Sequence, residues 1–180
     1  MQKELEVKIL NVDVDEVERK LINVGGRLIS DEEQENILID STKNPIKNYI
    51  DAYLRIRETK DRLNSTTDLT LTLKKNIKNN DLRENIELNV KIDSKETMLD
   101  LLKELGFDEI KIGRKKRKVY EFKNAQIFFD VWDKETYPYP YIEIEVQEES
   151  KLNEVLELLG IEKDKISLKS IVELQDELKK

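Results

Sequence analysis

The sequence predicts an α+β fold: an antiparallel sheet of about eight strands, with helices packed on its apolar side. Three observations predict it. Short stretches alternate apolar and polar residues with period two, and most of the loops between them are short. Helical stretches with an apolar stripe, three of the four ending at glycine, break the series of strands. The polar faces of the strands carry charge, and the sign is grouped by strand: Glu4 with Glu6, Glu143 with Glu145, Arg55 with Arg57, Lys115 with Arg117. That grouping suits a closed barrel with a hydrophilic lumen, in which acidic and basic staves face one another. A sheet with one face in water is the alternative, and the residues alone leave both open.

The first strand is Met1–Leu10. Glu4, Glu6 and Lys8 fall on one face, and Leu5, Val7 and Ile9 on the other. Asp13 or Asp15 can cap a helix reaching about Val24, with Val14, Val17, Leu21 and Val24 at helical spacing and Gly25-Gly26 closing it. Residues 27–40 read as a strand and 41–48 as a loop. In Ala52–Arg57, Arg55 and Arg57 share a face opposite Leu54 and Ile56. Leu69–Lys74 sets three leucines against Thr70, Thr72 and Lys74, and polar loops are expected over 60–67 and 75–81. Arg83, Asn85 and Glu87 oppose Ile86, Leu88 and Val90.

A second helix over about 94–105 carries Met98, Leu101, Leu102 and Leu105 and ends at Gly106. Residues 110–122 place Gly113, Lys115 and Arg117 on one face. Ile127–Trp132 puts Asp130 between Phe128 and Trp132, and Tyr141–Gln147 sets Glu143 and Glu145 against Ile142, Ile144 and Val146. The last helices are expected over about 150–159, ending at Gly160, and about 167–179, with Leu168, Ile171, Val172 and Leu174 buried.

Composition narrows the chemistry. The 180 residues suit one domain with a sizeable core or two very small ones. Charged residues reach 39%, high enough to imply that some charge does more than solubilise. The net charge of −7 argues against non-specific nucleic-acid binding. With neither cysteine nor histidine, thiolate and imidazole chemistry are excluded. Any metal must sit on carboxylates, which points to Mg²⁺, Mn²⁺ or Ca²⁺. No long apolar run and no signal-peptide pattern is present, so a soluble, cytoplasmic protein without membrane association is expected. Converging carboxylates would bind a hard cation and converging Arg and Lys a polyanion, so a lumen holding both suits a metal-chelated polyphosphate.

Motifs in order along the whole chain carry a family resemblance. Glu4-Leu5-Glu6-Val7-Lys8 matches a Glu-x-Glu-x-Lys signature at the N-terminus. Tyr53-Leu54-Arg55-Ile56-Arg57 resembles a Leu-Arg-x-Arg strand, Leu71-Thr72-Leu73-Lys74 a Thr-x-Lys strand, and Arg83 with Glu87 an Arg-x-x-x-Glu strand. Lys115-Lys116-Arg117 resembles a Lys-x-Arg strand, Asp130 a lone acidic strand residue, Glu143-Ile144-Glu145 a Glu-x-Glu strand, and Lys169-Ser170 the Lys-Ser of a helix plugging the barrel. Together these resemble the CYTH superfamily, or triphosphate tunnel metalloenzymes, which groups class IV adenylate cyclases with thiamine and inorganic triphosphatases.

The resemblance implies a single CYTH-like domain over 1–180: a closed eight-stranded antiparallel β-barrel, or tunnel, with a charged lumen and helices outside. It implies that Glu4, Glu6, Glu87, Asp130, Glu143 and Glu145 hold Mg²⁺ or Mn²⁺. Lys8, Arg55, Arg57, Lys74, Arg83, Lys115, Arg117 and Lys169 would clamp a triphosphate, with Lys74 and Lys115 in catalytic roles. ATP or another triphosphate is the expected substrate, class IV adenylate cyclase the leading activity, and a homodimer a family option. A triphosphatase in the same tunnel is the alternative, and a non-catalytic nucleotide- or polyphosphate-binding module a further one. Two positions depart from the family: Asn85 stands where many members carry Glu, and Leu38 where many carry Tyr. The second weakens a hydrolytic reading that relies on that Tyr. Tyr49, Tyr53 and Tyr139 are the candidates for an adenine pocket.

Overall fold

The computed structural model describes residues 2–77 and 83–178. Nine strands and four α-helices occur among the described residues: β1 (Gln2–Ile9), α1 (Val14–Asn23), β2 (Arg27–Asp40), β3 (Ala52–Asp61), β4 (Thr66–Ile77), β5 (Arg83–Lys91), α2 (Lys95–Glu104), β6 (Glu109–Phe122), β7 (Ala125–Trp132), β8 (Tyr141–Val146), α3 (Glu149–Leu159), β9 (Ile166–Ser167) and α4 (Ile171–Leu178). The sheet order is β5-β4-β3-β2-β6-β7-β8-β1-β9. A further antiparallel pairing of β1 with β5, from Gln2↔Glu87 to Glu6↔Arg83, closes the first eight strands into a barrel. The two-residue β9 pairs with the far end of β1 and is not a stave.

Closure decides between the two architectures that the alternation allowed. Glu6, Lys8, Arg55, Lys74, Glu87, Lys115 and Asp130 are all buried, so the charged faces turn inward rather than toward water. The apolar faces turn outward to the helices. Val7, Ile9, Ile127, Phe129, Ile142 and Ile144 form the main core with Val17 and Leu21 of α1 and Leu152, Val155, Leu156 and Leu159 of α3. A smaller core joins Ile37, Ile39 and Ile56 to Leu102, Met98 and Leu99 of α2. A third cluster, Tyr137, Tyr141 and Leu174 with Trp132 and Ile171, seats α4 against β7 and β8.

The helix ends follow local chemistry. The Asp13 carboxylate accepts from the Glu16 amide at 3.0 Å, capping α1. Ser94 accepts from the Thr97 amide at 3.1 Å and caps α2. Gly160 closes α3 in the left-handed region at φ 66°. At Gly26 a Cβ would come within 2.5 Å of the Leu21 side chain, so only glycine lets α1 settle on the barrel there.

Several expectations need correction. The β3–β4 ladder runs to Asp61↔Thr66, which shortens the loop expected over 60–67 to residues 62–65. β4 continues to Ile77, and the rest of the loop expected over 75–81 lies outside the described residues. The last helix begins at Ile171 rather than 167, because Ile166 and Ser167 are recruited as β9. Val172, placed in its buried stripe, is exposed, as are Leu101 and Leu105 of α2. The helices do not cover every apolar face either: Leu88 and Val90 of β5 and Ile110 and Ile112 of β6 are exposed.

Candidate active site

The period-two alternation, combined with closure, sends one face of each stave into the lumen. There the charges do not stand apart; they form a chain of ion pairs along the wall. Lys115 Nζ lies 2.9 Å from Asp130. Arg117 grips the same carboxylate with two 2.6 Å hydrogen bonds and reaches Glu143 at 2.5 Å. Glu143 meets Lys8 at 2.7 Å, and Lys8 lies 3.9 Å from Glu6. Glu6 continues to Arg83 at 3.5 Å and to Lys74 at 3.4 Å. Lys74 reaches Glu87 at 3.2 Å, and Glu87 ends the chain at Arg55, 3.8 Å away.

This pairing sets the protonation of the lumen. Burial works against ionised carboxylates, but Lys8, then Lys74 and Arg83, hold Glu6 below its ordinary range. Against the same burial, Lys8, Arg117 and Lys115 hold Glu143 well below it. Arg117 and Lys115 do so for Asp130, and Lys74 and Arg55 for Glu87. The cations divide. Arg117, despite burial, is driven well above its ordinary value by Asp130 and Glu143. Lys115 is pushed down to about 7 by burial and by Arg117, outweighing Asp130. Arg57 is pushed down to about 9 by burial and by Arg55 and Arg117. Its hydrogen bond is to a neutral group, the Asn36 carbonyl oxygen, at 2.7 Å.

The chain of ion pairs therefore has a gap. Between Arg55 and Lys115 the wall is β2, whose inward Gln34 and Asn36 are buried and uncharged and whose inward Glu32 accepts from Ser30 and Gln34. Three of the buried polar side-chain atoms without a hydrogen-bond partner belong to this arc: Gln34 Oε1, Asn36 Nδ2 and Arg55 Nε. A fourth, Asn85 Nδ2, is on β5, in a fully buried side chain whose carbonyl oxygen faces Arg83 Nε at 3.4 Å. One wall of the tunnel is internally neutralised; on the other Arg57 bonds to an amide, and Asn36 Nδ2 and Arg55 Nε are donors without acceptors.

The structure thus brings together Lys8, Arg55, Arg57, Lys74, Arg83, Lys115, Arg117, Glu6, Glu87, Asp130 and Glu143. Glu145 lies opposite Glu6 in the β1–β8 register, and Glu4 opposite Asn85 in the β1–β5 register; the Glu4 side chain is outside the described residues. Lys169 is not gathered in. It precedes α4, is half exposed and pairs with Glu177 at 2.5 Å. Among the described residues no three acidic side chains stand close enough to hold a metal ion as they are. Yet Glu6 and Glu143 share one ammonium, Lys8, and Glu6 and Glu87 share another, Lys74.

The three tyrosines named for an adenine pocket do not converge. Tyr49 and Tyr139 are exposed, and Tyr53 lies half-buried with its ring 5.9 Å from the Arg55 guanidinium carbon. An aromatic group that does reach the site, beside Tyr141 near Lys8, is Trp132. Its ring is 5.0 Å from Lys115 Nζ, and its indole N–H donates to the Tyr141 hydroxyl at 2.9 Å. Gly113 makes room for it: a Cβ there would meet Trp132 at 3.1 Å and Thr136 at 2.7 Å. Gln34 and Asn36 escaped the sequence reading because neither carries charge; their even spacing with Leu38 on one strand was the available signal. A cavity of about 630 Å³ is lined by Gln34, Lys115 and Trp132 together with neighbours such as Glu33, Glu35, Arg114 and Lys116.

A family model described as "CYTH domain" matches residues 2–170. The Methanocaldococcus jannaschii protein named "Putative adenylate cyclase MJ0240" is 31% identical over 96% of this chain and 98% of its own length. The solved structure of PH1819 from Pyrococcus horikoshii is 26% identical, covers 97% of this chain and 99% of its own, and superposes with a TM-score of 0.79. A Hippeastrum protein, described as "Putative adenylyl cyclase HpAC1" with a dominant triphosphatase activity, is 17% identical, covers 94% of this chain and 91% of its own, and shares the fold with a TM-score of 0.66.

Proposed function

The chain belongs to the CYTH family, and from that premise we propose that it is a divalent-metal-dependent enzyme that binds a triphosphate in its tunnel, with conversion of ATP to cAMP and pyrophosphate as its reaction. The observation that carries this reading is Arg57. It sits beside a second guanidinium, its pKa is depressed to about 9, and its hydrogen bond is to an amide. A cation held in that state is relieved by a polyanion, and the planar fork of arginine matches phosphate oxygens.

The donor set fits Mg²⁺ or Mn²⁺, since it offers only carboxylate oxygens. Glu6 and Glu143, already near enough to share Lys8, would hold the ion together with Glu4 and Glu145. Asp130, expected in that set, has both oxygens occupied by Arg117 and Lys115. When bound, the metal supplies charge neutralisation along the phosphate chain. Arg55 and Arg57 bind the phosphates from the β3 side, and Arg117 and Lys8 steady the acidic wall opposite. In the cyclase reaction the ribose 3′-oxygen attacks the α-phosphorus. Its proton passes to a lysine, the bond to the β-phosphate oxygen breaks, and pyrophosphate leaves into the cationic arc. Lys115, near 7, suits proton acceptance at neutral pH. Lys74, held between Glu6 and Glu87, suits the role of a phosphate-facing cation.

The alternative is a triphosphatase, with water attacking in place of the 3′-oxygen. The fold supports it, since HpAC1 carries such an activity on the same barrel. Leu38, where many family members carry a tyrosine, weakens a hydrolytic reading that relies on that tyrosine without establishing cyclisation. The test is turnover of ATP and of tripolyphosphate, side by side with Mg²⁺ and Mn²⁺, resolving cAMP, pyrophosphate and phosphate. cAMP with stoichiometric pyrophosphate is expected. Phosphate from tripolyphosphate without cAMP would replace the cyclase by the triphosphatase.

A further inference from the structure

The open arc of the tunnel holds one atom that a phosphate chain cannot satisfy. Gln34 is 5% exposed, and its amide nitrogen is committed to the Glu32 carboxylate. A carboxylate only accepts, so the atom left unpaired is the carbonyl oxygen, Oε1, whichever way the amide is first drawn. The same logic makes the unpaired atom of Asn36 its nitrogen, because its oxygen faces the Arg57 Nε donor. Asn36 Nδ2 and Arg55 Nε are donors and suit phosphate oxygens. Gln34 Oε1 is an acceptor, and ionised phosphate oxygens have no hydrogen to give it. It has no hydrogen-bond partner in the structure, and Lys115, opposite in the β2–β6 register, is turned toward Asp130.

A bound ligand that left this oxygen unpaired would add the full cost of a buried, dehydrated acceptor. We propose that Gln34 Oε1 accepts a hydrogen bond from a hydroxyl or amino group on the organic part of the substrate, making Gln34 the residue by which the tunnel prefers an organic triphosphate to inorganic tripolyphosphate. The proposal rests on the triphosphate reading above and adds to it the position where the non-phosphate part of the ligand is recognised. Trp132 is suitably placed to report it: it is the sole tryptophan, and it packs on Gly113, the register partner of Asn36.

The experiment measures binding rather than turnover. Calorimetry with Mg²⁺ would compare three ligands: the α,β-methylene analogue of ATP, its 2′,3′-dideoxy form, and a methylene-bridged tripolyphosphate. Trp132 fluorescence would be followed in parallel. In Gln34→Leu the affinity for the ATP analogue is expected to fall about tenfold, while that for the tripolyphosphate analogue stays within about twofold. If the donor is a ribose hydroxyl, the dideoxy form is insensitive to the substitution; if it is the base amino group, the sensitivity persists. Both results uphold the proposal.

Because a substituted tunnel could fold poorly, the wild-type protein supplies an independent arm. There, a 2′,3′-dideoxy purine riboside triphosphate analogue, which lacks both kinds of donor, should bind about tenfold more weakly than the ATP analogue. Equal losses for ATP and tripolyphosphate analogues in Gln34→Leu, or no loss for either, would overturn the role of Gln34 and leave the triphosphate site standing. A wild-type protein that binds neither ligand would overturn both.

Discussion

The two sides of the tunnel wall use the same residue types to opposite ends. On the arc from β6 through β7, β8 and β1 to β5, each inward cation meets a carboxylate, and Asp130 meets two cations at 2.6–2.9 Å. On the arc of β2 and β3, Arg57 bonds to the Asn36 amide, Arg55 reaches a carboxylate only at 3.8 Å, and buried donors are left without acceptors. The paired side is part of what holds the barrel together. The unpaired side is a cost that folding carries until an anion arrives. A charged residue in a closed barrel is therefore not evidence of a site by itself; the evidence is its lack of a counter-charge.

This contrast can be broken most forcefully at Asp130. Asp130→Ala would leave Lys115 and Arg117 facing each other across a dry gap, and removing one partner of a buried pair costs about 3–5 kcal/mol. Urea unfolding of that variant should show a loss of this size. A loss below about 1 kcal/mol would mean that water reaches the paired wall and that the two arcs do not differ as described.

Arg57→Ala should do the reverse. Affinity for tripolyphosphate is expected to fall by about 2–5 kcal/mol, because a desolvated phosphate partner is lost. Folded stability should change by no more than about 1 kcal/mol, because a crowded cation is removed along with its hydrogen bond to Asn36. Unchanged affinity would place Arg57 outside the site. Glu6→Gln probes the metal on the opposite wall: turnover should be lost while the fold persists, and full turnover at saturating Mg²⁺ would remove Glu6 from the ligand set.

Acid titration sharpens the comparison further, because the lumen carboxylates with lowered pKa values all lie on the paired arc. Glu6, Glu87, Asp130 and Glu143 titrate below their ordinary range in the folded state. As the pH falls through about 4, the unfolded chain takes up protons that these groups refuse, so stability is full above that range and is lost below it. Unfolding free energy should be flat from about pH 6 to 5, below the range in which Lys115 takes up its proton, and decline toward pH 2. The decline should be shallower in Glu143→Gln. A flat profile to pH 2 would mean that the carboxylates are not held by their cations.

Much of this arrangement was legible in the strand alternation. Glu6, Lys8, Arg55 and Lys115 could be assigned to one face from period two alone, and the outward core of Val7, Ile9, Ile142 and Ile144 followed from the same parity. Closure was suggested by the grouping of charge and implied by the family resemblance, but the pairing that makes it, β1 with β5 across about 80 residues of sequence, is encoded by no local pattern. The gap in the ion pairs was also out of reach. It depends on which charges meet across strands, and its members Gln34 and Asn36 are neutral. The late start of the last helix was hidden for a related reason: Ile166 and Ser167 have helix-compatible spacing but find a hydrogen-bonding partner in β1.

The smallest expected effect lies outside the barrel, where the same charges meet water. Lys95, the first residue of α2, lies 2.9 Å from both Glu35 of β2 and Glu58 of β3 and is about one quarter exposed. A cation at a helix N-terminus opposes the helix dipole, so its two carboxylates offset an unfavourable position as well as forming ion pairs. Hydrogen bonding to Lys95 holds both glutamates below their ordinary range. On the solvent side such pairs contribute little, because water screens them and two long side chains must be ordered. Lys95→Ala should cost about 1 kcal/mol or less, and the cost should shrink as salt rises toward 1 M. The loss in Asp130→Ala should hardly respond to salt, because its charges are shielded from the ions. If both variants lost stability equally and with the same salt dependence, the lumen would be no drier than the surface, and burial could not be the reason that its charges decide the chemistry.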